Sequence, residues 1–153
     1  MVSGDTGVII GKTDANTSAG WFLECTSGTG RLNDGIGFEI VRGTTNMRAA
    51  IPTGSYATGS FINLCMIWDG NLTSATGSAI YVNGFNVPFS YQLSGSGART
   101  TDAGWPIIIA HMFGTALPGM SSNLSIAMIY NRPLTQAEIQ QNYNAQKSRF
   151  NLT

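Results

Sequence analysis

Short apolar runs recur along the chain, each closed off by Gly, Ser, Thr, Asn or Pro: GVIIG, WFLEC, GFEIVRG, NMRAAI, FINLCMIW, AIYVNG, FNVPFSYQL, WPIIIAHM and LSIAMIY. Turn signals recurring about every 8–12 positions predict an all-β sandwich or barrel, not alternating β and α units. FINLCMIW is apolar on both faces and WPIIIAHM nearly so, which predicts two central strands. AIYVNG and LSIAMIY show the partial alternation of half-buried strands. Asn83 and Gly84 predict a two-residue type I′ turn, which needs positive φ at both positions and folds the chain back, antiparallel, into FNVPF. Pro88 has no N–H to give to a ladder, so the returning strand belongs at an edge or a bulge.

The period changes in the closing stretch, YNRPLTQAEIQQNYNAQKSRF. Thr135 and Glu138 have the spacing of a capping box, and Leu134 and Ile139 that of a hydrophobic staple, which predicts one helix over about 135–148. Ile139, Asn142, Tyr143 and Gln146 share a face, so the apolar stripe is thin and the helix must dock on the sandwich to persist. Lys147 and Arg149 in its last turn complement the helix dipole.

Composition narrows the class. The 153 residues suit one domain, 1–153, and charged residues make up 10% against a globular norm of about 25%. Eight basic and eight acidic residues are scattered without runs, so neither nucleic acid nor an anionic membrane is an expected partner. The N-terminal stretch lacks the basic and apolar regions of an export signal, and no run of about 18 apolar residues could span a bilayer. Cys25 and Cys65 each lie inside an apolar run, which predicts reduced, packed thiols, a single bridge being the alternative. Matches to Asn-x-Ser/Thr at Asn16, Asn71, Asn123 and Asn151 are expected by chance in so Asn-, Ser- and Thr-rich a chain.

Three motifs in order resemble the laminin-G-like, concanavalin A-like jelly-roll family. They are Trp68, Asp69 and Gly70 at a strand end, then Tyr81, Val82, Asn83 and Gly84, and then Tyr130, Asn131, Arg132, Leu134, Thr135, Glu138, Ile139 and Tyr143. The resemblance covers 61–148 and extends less closely over 8–50. It implies an antiparallel jelly-roll sandwich with one C-terminal helix. Relative to the family pattern the chain looks shortened at its N-terminal side, and IIIAHMFGT stands where a Gly-rich strand is expected. A sandwich short of strands exposes unpaired edges, so the resemblance implies neighbouring chains of a larger assembly, with a homo-oligomer expected.

Glycanases of this fold carry a string of three acids on one strand, which puts two carboxylates within reach of one glycosidic bond. No such string is present: Glu24 and Glu39 stand in separate strands and Asp34 precedes the second, so no enzyme activity and no catalytic residues are expected. His111 in IIIAHM reads as a packed residue, since no nucleophile elbow accompanies it. Cofactors are not expected; calcium is the one cation the oxygen donors would suit, at Asp69 and Asp102, although Asp before Gly is also an ordinary turn residue. For ligand binding, RTTDAGW offers Asp102 for sugar hydroxyls and Trp105 for a sugar face, the alternative being that Trp105 caps the core. Trp21 and Trp68 read as core, and Tyr81 and Tyr130 as sandwich-face residues. The expectation is a non-enzymatic lectin-like module of a virion or cell surface, a decoration or tail/adhesion protein of the kind found in bacteriophages, made in the cytoplasm and engaging glycans. A purely structural virion protein with no glycan ligand is the alternative.

Overall fold

The structure, a computed structural model, describes residues 7–13, 19–26, 35–110 and 122–152. Among these residues the strands are β1 Gly7–Thr13, β2 Gly20–Thr26, β3 Gly35–Ile40, β4 Met47–Pro52, β5 Leu64–Ile67, β6 Ala79–Val82, β7 Phe85–Val87, β8 Tyr91–Leu93 and β9 Ile107–Ile109. A helix, α1, spans Gln136–Phe150. The strands form an antiparallel six-stranded sheet, ordered β8-β4-β3-β2-β1-β9, and a three-stranded sheet, ordered β5-β6-β7. This is the two-sheet sandwich with a C-terminal helix that the pattern and the resemblance imply.

Register explains the core. Leu23, Phe38 and Ala49 stand side by side across β2, β3 and β4, and Cys25, Ile36 and Ile51 form the next row. Both rows are buried and meet Ile80 and Val82 from the small sheet. Phe89, between β7 and β8, adds an edge-to-face contact to Phe38 with ring centroids 6.0 Å apart. The opposite face of the large sheet carries a second buried cluster, Val8, Phe22, Val41 and Ile108. Cys25 and Cys65 are both free thiols; burial pushes the Cys65 thiol up.

Four strand expectations are corrected. FINLCMIW yields β5, an edge strand, and WPIIIAHM yields β9, also at an edge. Residues 123–130 form no strand. FNVPFSYQL is two strands: the chain leaves the small sheet after Val87 and enters the large one at Tyr91. Pro88, which cannot donate to a ladder, stands where it changes sheet. An apolar run does not tell a strand flanked on both sides from one at a sheet edge: Ile107 and Ile109 in β9 stay about half exposed.

At the turn between β6 and β7, Asn83 and Gly84 have φ of 51° and 81°, the left-handed pair a type I′ turn requires. Asn83 N–H donates to the Asn63 carbonyl at 2.8 Å, and the Asn83 Oδ1 accepts from the Asn63 N–H at 2.9 Å, which prolongs the β5–β6 ladder. The helix docks on this turn. Gln136 Nε2 donates to the Gly84 carbonyl at 2.8 Å, and the Tyr143 ring lies so close that a Cβ at position 84 would sit 3.1 Å from it.

Thr135 caps α1 by accepting from the Glu138 N–H at 3.3 Å, while the Glu138 carboxylate accepts from the Thr135 N–H at 2.8 Å. Arg132 grips the same carboxylate with both Nη atoms, at 2.6 and 3.0 Å. That guanidinium, with the two hydrogen bonds from Thr135, holds the Glu138 carboxyl at about 2, below its ordinary 4.5. The helix outlasts the expected 148 by one half turn, until Asn151 turns left-handed at φ 49° and its N–H returns to the Lys147 carbonyl.

Candidate functional site

Two loops meet at one end of the sandwich, residues 69–78 and 94–106. Arg42 holds them together: its Nη1 donates to the Leu72 carbonyl at 2.7 Å and its Nη2 to the Gly97 carbonyl. The Gly95 N–H donates to the Thr73 carbonyl at 2.9 Å, and Thr45 bridges Ser96.

The first loop is wound by short side chains that accept from the backbone just ahead of them. Asp69 Oδ1 accepts from the Asn71 N–H at 2.9 Å, and Asn71 Oδ1 accepts from the N–H groups of Thr73 and Ser74 at 2.9 and 3.1 Å. Trp68 Nε1 donates to the Asn71 carbonyl at 2.8 Å, which fixes the indole against the loop. The other Asp69 oxygen lies against Gly77, where an added Cβ would come within 1.8 Å of it.

In the second loop, Asp102 to Trp105 is one turn, closed by the Trp105 N–H on the Asp102 carbonyl at 3.1 Å. The Asp102 carboxylate is paired with Arg99 at 3.0 Å, and the Arg99 guanidinium lies 5.7 Å from the centre of the Trp68 ring. The structure thus assembles Trp68, Arg99, Asp102 and Trp105 into one surface. Trp105 is 44% exposed and so does not cap the core, whereas Trp21 and Trp68 are partly buried and pack against it. Arg99 was the feature missed in the sequence; its signal is a lone cation inside the Gly- and Ser-rich LSGSGARTTDAG.

Asp69 and Asp102, the two carboxylates expected to suit calcium, lie in separate loops, Asp69 in the first and Asp102 in the second. Calcium takes about 6–8 oxygens; here Asp69 Oδ1 accepts within its own turn and Asp102 is paired with Arg99. Among the described residues no three His, Cys, Asp or Glu side chains gather as a metal site. Asp34 and His111 lie outside the described residues.

The two acids that stand alone in the sequence do not stand alone in the sheet. Glu24 lies opposite Gly37 and Glu39 opposite Phe22, so both project from the same face as diagonal neighbours. Both are fully buried, and Glu39 accepts from Arg48 Nε at 2.8 Å, from Arg48 Nη2 at 3.2 Å and from Asn46 Nδ2. Buried and held this way, Glu39 is a structural ion pair, not a carboxylate presented to a substrate.

A sandwich of two antiparallel sheets with a docked terminal helix and loop-borne aromatic and amide groups defines a lectin-like β-sandwich protein. A laminin-G-type family model described as the concanavalin A-like lectin/glucanases superfamily matches residues 2–140, and the chain belongs to that superfamily. No curated protein and no solved structure matches it.

Proposed function

We propose that this chain is a non-enzymatic, glycan-binding module displayed on a virion or cell surface, as a decoration or tail/adhesion protein. The observation that carries the reading is Trp105, nearly half exposed on a turn whose first residue is Asp102. An indole face of this kind stacks on the apolar face of a sugar ring, while the neighbouring Ser, Thr and Asn groups suit its hydroxyls. The reading needs no cation at Asp102, whose carboxylate is paired with Arg99.

A glycan array tests it, run with millimolar calcium and again with chelator, alongside Trp105→Ala. The expected result is binding that survives chelation and is lost in the variant without a change in melting temperature. An array with no binder sinks the reading. A purely structural assembly role is the second reading, favoured by the mismatch between a six-stranded and a three-stranded sheet; stable oligomers or capture on a particle without any glycan ligand would establish it.

A further inference from the structure

Asp102 and Arg99 meet on the surface that carries Trp105, and both are fixed there from below. The Asp102 Cβ lies 3.2 Å from the place a Cβ would take at Gly20, so the side chain rests against the start of β2. Its carboxylate accepts from Arg99 Nη2 at 3.0 Å, with side-chain exposures of 16% for Asp102 and 34% for Arg99. The Arg99 main chain bridges Arg42, and its guanidinium lies over Trp68, whose own Nε1 is tied to the Asn71 carbonyl. Trp68 is thus covered by a cation, which leaves Trp105 as the open indole of the two.

Side by side, the ion pair offers an acceptor and a set of donors. A carboxylate only accepts and a guanidinium only donates, whereas each sugar hydroxyl does both. Two adjacent hydroxyls can therefore give one hydrogen bond to Asp102 and take one from Arg99 without parting the ions, and hydrogen bonds to charged groups are the strong ones. Charged sugars fare worse whichever their sign. The carboxylate of a uronic or sialic acid, or a sulfate, would reach Arg99 only beside the Asp102 carboxylate or by displacing it, and displacement would leave a largely buried anion without its cation. An ammonium group at Asp102 would meet Arg99 in the same way. The surroundings add no charge bias to offset this, because Asp69 and Asp102 in the two loops are balanced by Arg99 and by Arg42 beneath them.

We infer that this surface selects uncharged saccharides that present two adjacent free hydroxyls beside the apolar ring face lying on Trp105, and that the Arg99–Asp102 pair is the group that selects them. The inference rests on the glycan reading above and adds the class of sugar to it. Trp105 and Asp102 belong to one turn, closed by the Trp105 N–H on the Asp102 carbonyl, so the indole and the ion pair act on the same sugar residue. Sialylated, uronic and sulfated glycans are excluded by charge, while N-acetylated sugars, being neutral, stay within the class.

The test uses the full chain and an array printed with neutral, uronic- or sialic-acid, and sulfated oligosaccharides. It is read for the native chain, Asp102→Asn and Arg99→Gln, with the melting temperature of each. A duplicate set of neutral spots is treated with periodate and then borohydride, which cleaves adjacent hydroxyls and spares isolated ones. The native chain should bind neutral spots alone and lose them after periodate. Each variant should bind them at least about tenfold more weakly, as the loss of one charged hydrogen bond requires, and Asp102→Asn, its guanidinium unpaired, should gain acidic spots. Where a variant fails to fold, the native chain's charge selectivity and its response to periodate decide alone. Acidic spots bound by the native chain as tightly as neutral ones, binding that survives periodate, or neutral binding unchanged in a folded variant would each overturn this inference and leave the glycan reading standing. An array on which nothing binds would overturn both.

Discussion

Replacing Arg48 with methionine should cost about 3 kcal/mol, because it strands a buried carboxylate. Glu39 has no exposed surface and accepts from Arg48 twice and from Asn46 once. The substitution keeps an apolar stem but removes the countercharge and two of those donors. Breaking a buried pair costs about 3–5 kcal/mol, and the 22% exposure of the Arg48 side chain places this one at the lower end, since water can reach part of the gap. For 153 residues at about 2.1 cal/mol/K each, the unfolding entropy is about 0.32 kcal/mol/K, so the melting temperature should drop by about 9 °C. Calorimetry of Arg48→Met, Glu39→Gln and the double variant gives both the size and the coupling. The double variant should be more stable than Arg48→Met alone, since a neutral amide no longer needs the cation. A loss below about 1 kcal/mol, or strict additivity, would refute the claim that Arg48 holds Glu39.

Gly84→Ala should destabilise by about 2 kcal/mol in urea titrations, from left-handed backbone and crowding against Tyr143; an unchanged midpoint would dissociate the helix from the turn. Because Glu138 is held at about 2 when folded and its ordinary value is 4.5, its contribution is intact above 4.5 and is lost as pH falls toward 2. The urea midpoint of the native chain should therefore fall more steeply across that window than that of Glu138→Gln, and parallel curves would count against the Arg132 clamp. The Cys65 thiol, raised by burial, should react with Ellman's reagent at pH 8 at least about tenfold more slowly than in urea; equal rates would mean that β5 is open.

The end of the chain was the most legible part, because a capping box and a type I′ turn are local codes whose partners lie within three residues. Thr135, Glu138, Asn83 and Gly84 all take the conformations those codes specify. Strand order was not legible. LCMI and III are as apolar as any central strand, yet among the described residues both are edges, because side-chain type reports which groups pack and not how many strands flank them. The pairing of Glu24 with Glu39 on one face depends on which strands are neighbours and on their register, which side-chain type alone does not encode. Of the candidate site, Asp102 and Trp105 were visible as neighbours in one loop; their link to Trp68 passes through Arg99, across more than thirty residues of sequence.

Docking of α1 on a two-residue turn also sets an order of events in folding. The β6–β7 hairpin closes over a two-residue loop and can form within microseconds, whereas Gln136 must find Gly84 across 52 residues. Until the hairpin exists, the helix has a thin stripe and nothing to lay it on, so the terminal segment waits on a local event far upstream. The helix is the latch of a structure already shaped, and helical signal in a refolding experiment should reach its final value only after the hairpin amides are protected.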